Sequence, residues 1–152
     1  MQTDGLLEEV RGEPRSVWAG RRRNLNELVE GCANHGDAEF LVLGDVRITH
    51  ADFLRRTNAL ARRLRDDYAV SPGDRVAIFA ANRPEWVITF YAVARIGGIV
   101  VAMNGWWTRD EAVYGLDLVD PVLLVGDAKR LARLDGFDHG RSHSTSTRVS
   151  PN

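Results

Sequence analysis

The chain has 152 residues, of which 44% are hydrophobic and 27% are charged, and its formal net charge is -1. These values match globular domains and exclude wholesale disorder and a miniprotein held together by disulfides. The balanced charge gives no overall attraction to nucleic acid or to an anionic membrane, and the single cysteine, Cys32, excludes an intrachain disulfide and fits a reducing cytoplasm.

The N-terminal third begins with a segment that lacks periodicity and then becomes regular. Residues 1–23 contain three consecutive arginines at 21–23 and are predicted to form a charged leader, with a basic patch for phosphate or lipid as the less favoured alternative. The helical spacing of Leu25, Leu28 and Val29 predicts a short helix over residues 24–34.

A hairpin and a long amphipathic helix are predicted next. Two apolar runs, residues 39–43 and 46–48, flank the turn residues Gly44 and Asp45. Thr49, followed three residues later by Asp52, is typical of a helix N-terminus. The helix that follows has one apolar stripe, and its arginines are interpreted as a solvated face: the stripe comprises Phe53, Thr57, Leu60, Ala61, Leu64 and Tyr68.

The centre of the chain has the pattern of a strand, a helix and a second strand. Residues 76–80 are continuously apolar, residues 86–96 are apolar nearly all round, and residues 99–103 form another apolar run, so both strands are predicted to be buried and parallel. Asn82 is predicted to cap the helix and Gly97-Gly98 to end it. A membrane span over this region is disfavoured by its arginine and its glycine break.

The last predicted elements complete an alternating pattern. Thr108 and Glu111 predict a capping box for a helix that ends near Leu118, residues 122–125 predict a buried strand, and Asp127 predicts the cap of a short helix through Leu134. Alternation of strands and helices predicts an α/β fold, part of a doubly wound and mainly parallel sheet with flanking helices.

The domain boundaries follow from where this alternation starts and stops. The folded unit is predicted over residues 24–134. Residues 135–152 are polar, rich in serine, threonine and histidine, and predicted to be a disordered tail.

A search for catalytic and ligand-binding patterns nominates no catalytic, cofactor-binding or metal-ligating residue. Neither the dinucleotide-binding pattern G-x-G-x-x-G nor the phosphate loop G-x-x-x-x-G-K-[ST] is present. Cys32 and His35 stand one helical turn apart, but two ligands are too few for a zinc site, and core packing for Cys32 and a helix-end role for His35 are favoured.

One loop stands out because it has two adjacent tryptophans after an apolar strand. Asn104, Trp106 and Trp107 are predicted to form either an apolar substrate-binding surface or a face that meets another domain. The inter-domain face is the preferred interpretation.

The order of several segments resembles that of the adenylate-forming (AMP-binding) enzymes, and their spacing is most similar to that of the fatty acyl-CoA synthetases. The resemblance extends over about residues 40–134, and Gly105-Trp106-Trp107 resembles a loop of the fatty acyl-CoA synthetases. Ala102 departs from the family, which usually has proline there. The segments that carry the resemblance are residues 46–53 with 58–64, 71–78, 82–86, 94–104 and 117–125.

This resemblance implies an AMP-dependent ligase that joins a carboxylic acid to coenzyme A through an acyl-adenylate, using ATP and Mg²⁺. The family's phosphate loop, adenine-binding stretch, ribose-binding acid and C-terminal lysine have no matching position here. We therefore expect an N-terminal ligase fragment that is inactive and binds no cofactor alone. A non-catalytic interaction module or split subunit, which docks on a separately encoded ligase remainder, is the alternative, and an acyl-chain binder that uses Trp106 and Trp107 is a third.

The family pattern stops near Gly136, which suggests a truncated or frameshifted gene product. Its expected partners are the ligase remainder or a second copy, with a fatty acid or other carboxylate as the parent family's substrate and no nucleic acid or transmembrane segment. A cytoplasmic location is expected, with peripheral membrane contact as the alternative. An open sheet edge and uncovered apolar faces would make the isolated chain self-associate.

Overall fold

A computed structural model describes residues 5–137, so the predicted tail lies outside the described residues from position 138 onwards. The strands are β1 Gly5–Val10, β2 Glu13–Trp18, β3 Glu39–Leu43, β4 Val46–Thr49, β5 Arg75–Phe79, β6 Ile99–Ala102 and β7 Leu123–Gly126. The helices are α1 Leu25–Glu30, α2 His50–Asp66, α3 Pro84–Arg95, α4 Arg109–Val119 and α5 Ala128–Leu131. Short 3-10 helices, Gly31–Asn34 and Ala132–Leu134, extend α1 and α5.

The centre of the fold is a parallel sheet in the order β6-β5-β7. Val76 in β5 is opposite Val100 in β6 and Leu123 in β7, which confirms the predicted parallel pair of strands on either side of α3. Among the described strands, both β6 and β7 are outer strands of this sheet: β7, predicted to be buried, is buried only at Leu123, and in β6 Ile99 is 50% exposed. The prediction that these two strands are buried is therefore wrong, because a continuous apolar run does not reveal whether a strand lies at a sheet edge.

Successive side chains of β5 point to opposite faces of the sheet, so the strand contributes to two apolar clusters, one on each face. Val76 packs with α2 and α3, whereas Ala77 and Phe79 pack with α4 and the final 3-10 helix. All three side chains are fully buried. Helices therefore cover both faces of the sheet, which confirms the predicted α/β fold class.

The boundaries of α3 correct one predicted cap. Arg83, not Asn82, is the N-cap residue, and it has no side-chain capping bond. The residue before a proline is forced into an extended conformation, and Arg83 has φ -140° and ψ 161°, so Pro84 sets the helix start one residue later than predicted. At the other end the prediction is confirmed: Gly97 has φ +77°, and the amide of Gly98 donates to the carbonyl oxygen of Val93 at 3.0 Å.

Helix α2 has the predicted two faces. The Thr49 side chain accepts a hydrogen bond from the Asp52 amide, as expected of its cap. The apolar stripe is buried or half-buried, although its last predicted member, Tyr68, follows the end of the helix at Asp66. The arginines are exposed, and several of them pair with nearby acids, as Arg55 does with Asp52 at 2.8 Å. This confirms the solvated face.

The N-terminal segment contains a hairpin that the sequence patterns do not predict. Strands β1 and β2 pair antiparallel around Arg11 and Gly12, which both have positive φ, 54° and 82°. Glu8 in β1 binds Arg21 at 2.6 Å and Arg23 at 2.7 Å. The hydrogen bonds from Arg23 and Arg21 hold the pKa of Glu8 below its usual value.

Residues 86–103 form the helix, glycine break and strand that the sequence predicts instead of a membrane span. Within residues 5–137, no helix is both long enough and apolar enough to cross a membrane.

Candidate functional site

The candidate site lies where the three parallel strands end. Strands β5, β6 and β7 finish at Phe79, Ala102 and Gly126. Open α/β sheets bind ligands outside the carboxyl ends of their strands. We call the segments that follow these strands, residues 80–83 and 103–108 together with residues 127–130 at the start of α5, the carboxyl-edge loops.

Asp127 joins two of the carboxyl-edge loops. Its Oδ2 accepts the amide of Ala81 at 2.8 Å and the Arg130 guanidinium at 2.9 Å, while its Oδ1 accepts the amide of Arg130 at 3.0 Å. Burial alone would raise the pKa of Asp127, but the hydrogen bonds from Ala81 and Arg130, together with the Arg130 charge, outweigh it and lower the pKa. The carboxylate of Asp127 is thus charged, and both of its oxygens accept hydrogen bonds from other parts of the protein.

We expect Asp127→Asn to lower the free energy of unfolding by about 1–3 kcal/mol near neutral pH, because it removes a charged acceptor from a partly buried network. The pKa of Asp127 is lower in the folded state than in the unfolded state, where it has the ordinary value of 3.8. Its carboxylate therefore stabilises the fold fully at pH values above the unfolded-state pKa, and this contribution is lost as the pH falls through the folded-state pKa. Urea unfolding at several pH values checks both effects. The difference between wild type and variant should shrink below about pH 4, and a pH-independent difference would contradict this role.

The second loop, residues 103–108, is fastened by two arginines. The carbonyl oxygen of Gly105 accepts Arg130 Nε and Arg133 Nη1, both at 3.1 Å, and the carbonyl oxygen of Trp107 accepts Arg133 Nη1 at 2.8 Å. A Cβ atom at Gly105 would stand 3.0 Å from Arg130 Nε and 3.1 Å from the carbonyl oxygen of Ala80. The two guanidiniums therefore position backbone within the site.

The structure separates the three residues singled out in this loop. Asn104 forms a turn, in which its Oδ1 accepts the amide of Trp106 and its carbonyl oxygen accepts the amide of Trp107, both at 3.0 Å. Trp106 is 86% exposed. Trp107 is half-buried against the core on the α4 side, close enough that a Cβ at Gly115 would lie 2.9 Å from its ring. Asn104 thus shapes the loop, Trp106 faces solvent, and Trp107 packs inward.

Trp107 also lines an apolar groove along the outer strand. The groove has a volume of about 370 Å³ and runs between β6 and α4. Beside it, Tyr114 and Leu118 are 70% and 71% exposed. We call it the edge groove; it is lined by Val101, Ala102, Met103, Trp107, Glu111, Tyr114, Gly115, Leu118 and Val119. Sequence reasoning missed the α4 side of this groove, although the exposed Tyr114 and Leu118 share one helix face.

Helix α4 begins at the end of this loop with the predicted capping box. The Thr108 side chain accepts the Glu111 amide, and the Glu111 carboxylate accepts the Thr108 amide at 2.8 Å. These hydrogen bonds from Thr108 lower the pKa of Glu111. Thr108→Ala should cost about 1 kcal/mol in the free energy of unfolding, measured by urea denaturation, whereas Thr108→Ser should cost much less. Equal losses for both variants would contradict the cap.

The carboxyl edge has apolar surface but few polar side chains that are available to a ligand. Across residues 5–137 there is no group of three or more His, Cys, Asp or Glu side chains that could hold a metal ion. Asp127, Arg130 and Arg133 bind parts of the protein, and Lys129, the only lysine in the sequence, is exposed. The parallel sheet with helices on both faces defines an open α/β domain, a class in which ligands bind outside the carboxyl ends of the strands.

The comparison with protein families assigns this domain. The AMP-binding enzyme family matches residues 28–151. The chain belongs to the AMP-binding enzyme family, as its sequence resemblance predicts, although the match continues beyond Gly136, where the family pattern is expected to stop.

Several of the curated relatives that match the chain are named as CoA ligases. The chain is 34% identical over 114 residues to the acyl-CoA ligase sidI of Beauveria bassiana, covering 73% of this chain and 19% of that protein. It is 32% identical over 112 residues to a medium/long-chain-fatty-acid--CoA/3-oxocholest-4-en-26-oate--CoA ligase of Mycobacterium marinum, covering 73% and 20%. The chain thus spans about a fifth of the length of the curated relatives it matches.

Solved structures show the same fold. The inhibitor-bound N-terminal domain of FACL13 from Mycobacterium tuberculosis matches with a TM-score of 0.70 at 24% identity, covering 75% of this chain and 29% of that one. A fatty acyl-CoA synthetase from Mycobacterium tuberculosis matches with a TM-score of 0.70 at 22% identity, covering 83% and 25%. The described residues therefore have the fold of the N-terminal part of AMP-binding ligases.

Proposed function

We propose that this chain is the N-terminal portion of an AMP-dependent acyl-CoA ligase domain and does not form acyl-adenylates alone. In a complete ligase, the substrates would be a fatty acid or another carboxylate, ATP with Mg²⁺ and coenzyme A. The role of this portion is structural: it supplies a sheet, its flanking helices and an apolar surface against which the remaining ligase is built. The location we propose is the cytoplasm.

The observation that carries this proposal is that Asp127, Arg130 and Arg133 at the carboxyl edge are all bonded to other parts of the protein. Asp127 accepts three hydrogen bonds from the protein, and both Arg130 and Arg133 donate to carbonyl oxygens of the loop at residues 103–108. Binding the phosphates of ATP requires cationic or amide donors that point at the ligand. Arg130 and Arg133 would have to break their existing hydrogen bonds to bind these phosphates. Their present bonds therefore favour a scaffold role over a nucleotide site.

An ATP–pyrophosphate exchange assay tests this proposal. The purified chain, with Mg²⁺ and fatty acids of several lengths, should give exchange no faster than a blank without protein. A complete acyl-CoA ligase assayed in parallel controls for the reagents. Exchange that depends on both the chain and the fatty acid would overturn the proposed lack of activity.

A second candidate function is a split subunit that docks on a separately encoded ligase remainder. The edge groove favours it, because β6 has no strand on its outer side among the described residues, and Ile99, Tyr114 and Leu118 are at least half exposed beside it. An unpaired strand edge beside an apolar surface promotes association. The isolated chain should therefore self-associate when its partner is missing.

Co-expression with the remaining part of a related acyl-CoA ligase tests docking. Co-purification of the two chains together with restored exchange activity would support the split subunit. Leu118→Glu should weaken co-purification because it places a charge on the groove, and Asp110→Asn, an exposed position of the same helix outside the groove, serves as a control. A chain that sediments as a monomer and does not bind the remainder would contradict this function.

A further inference from the structure

A second cavity lies away from the carboxyl edge, between the β3–β4 hairpin and helices α1, α2 and α3. It has a volume of about 310 Å³ and is bordered by residues of α1, its 3-10 extension, the β3–β4 hairpin, α2 and α3. We call it the N-terminal cavity. No residue that lines it belongs to the parallel sheet or to the carboxyl-edge loops, so it is separate from the site described above.

Aromatic rings form one wall of the N-terminal cavity. The rings of Phe40 and His50 have centroids 4.4 Å apart, and the ring of His35 lies 4.7 Å from that of His50. Phe53 continues this wall at 4.8 Å from Phe40. Such a surface fits the face or edge of a flat aromatic ligand, because offset and tilted ring pairs are favourable.

The polar side chains that line the N-terminal cavity include one guanidinium, two imidazoles and the amide of Asn34. Among its lining residues are Arg22, His35 and His50, and none is an aspartate or a glutamate. Arg22 is exposed, and no hydrogen bond or ion pair joins it to another residue in the range 5–137. His50 Nδ1 is shielded from solvent and lacks a hydrogen-bond partner within that range. A buried polar atom without a partner is costly, and a ligand that supplies one recovers that cost.

We propose that the N-terminal cavity binds a small aromatic carboxylate, with the ring against Phe40 and Phe53 and the carboxylate accepting hydrogen bonds from Arg22 and from His50 Nδ1. The volume is at the lower end of ligand pockets, about 300–1,000 Å³, and suits one ring with a short acidic arm. A single guanidinium matches a monoanion. A phosphate dianion would have too few donors in a cavity whose other lining is mostly apolar.

Cys32 also lines the cavity but is not expected to react with the ligand. Cys32 is 7% exposed, and burial raises the pKa of its thiol, so the thiol remains protonated and is a poor nucleophile. Binding at this cavity is therefore reversible and rests on ring contact and charge.

Equilibrium dialysis of the whole chain against radiolabelled phenylacetate tests the proposal and tolerates self-association. We expect saturable binding at one site per chain, with the uncharged isostere phenylacetamide competing about tenfold more weakly because it cannot pair with a guanidinium. Equal competition by the two compounds, or no saturable binding up to about 10 mM, would overturn the proposal.

Two variants localise the binding. Arg22→Gln should weaken phenylacetate binding about tenfold, since it removes the charge from an exposed side chain without disturbing the core. Arg15→Gln, an exposed arginine of β2 outside the cavity, should leave binding unchanged. His50→Phe keeps a ring at this position and removes Nδ1, and should weaken binding about fivefold. Unaltered binding by Arg22→Gln would refute the assignment whatever the histidine variant does.

The dialysis contains no ATP, coenzyme A or ligase remainder. Its result is therefore independent of the proposed function. Phenylacetate can fail to bind although the chain lacks adenylation activity, and phenylacetate can bind although the chain catalyses exchange.

Discussion

Phe53→Ala is expected to lower the free energy of unfolding by about 3–5 kcal/mol, the cost of emptying a large buried aromatic site. Phe53 is 1% exposed and lies at the junction of three elements. Its ring centroid is 4.8 Å from that of Phe40 in β3 and 5.6 Å from that of Tyr91 in α3, in an edge-to-face arrangement. Domains of this size are stable by only about 5–15 kcal/mol, so the variant should lose a large part of its stability.

Urea denaturation followed by circular dichroism measures this loss. Phe40→Ala is the matched control, because the same ring type is removed from a position that is 38% exposed, and it should cost less than about 2 kcal/mol. Equal losses for the two variants would mean that the packing of α2 against α3 does not depend on Phe53.

Gly126→Ala is expected to destabilise the fold by about 1–3 kcal/mol through overpacking at the end of β7. Gly126 is opposite Phe79 in the register of β5 and β7. A Cβ there would stand 2.7 Å from the carbonyl oxygen of Phe79 and 2.8 Å from Leu131 Cδ2. Because the first contact is with backbone, the two strand ends must separate to relieve it.

The separation should also reach the carboxyl-edge loops, because Asp127 follows directly and binds the amide of Ala81. Amide hydrogen exchange at Ala81 should therefore quicken in Gly126→Ala. Gly20→Ala provides the control, since a Cβ at that glycine meets nothing within 4 Å. An Ala81 amide that exchanges at the wild-type rate would contradict the coupling between the strand end and the loop.

The sequence predicts most of the fold from residue 24 onwards, because there local signals agree with burial. The first strand of the second hairpin is found at its predicted bounds, residues 39–43. Both threonine caps, Thr49 and Thr108, form as predicted, since a side-chain oxygen that satisfies helix amides is a local interaction that needs no tertiary context. The parallel pairing of β5 with β6 also follows from the spacing alone.

The N-terminal hairpin escapes prediction because neither of its faces is buried. Leu7 is 79% exposed and Trp18 is 63% exposed, so burial imposes no alternation on these strands. The only local signal is the pair Arg11 and Gly12, whose positive φ values suit a two-residue hairpin turn. Arginine is an uncommon residue at such a position, and the signal is therefore weak.

The candidate site is predicted only in outline. The sequence draws attention to the loop of Asn104, Trp106 and Trp107, but it cannot show that one tryptophan faces solvent while the other packs against Gly115. The interactions of Arg130 and Arg133 with that loop join residues more than twenty positions apart. Such contacts depend on the strand order β6-β5-β7, which local patterns do not encode.

Whether this chain has a nucleotide site of its own is the central question, and calorimetric titration with MgATP tests it most directly. We expect only heats of dilution, because Asp127, Arg130 and Arg133 at the carboxyl edge are already bonded within the protein. Saturable binding of MgATP by the pure chain, with a dissociation constant below about 100 μM, would contradict the scaffold role.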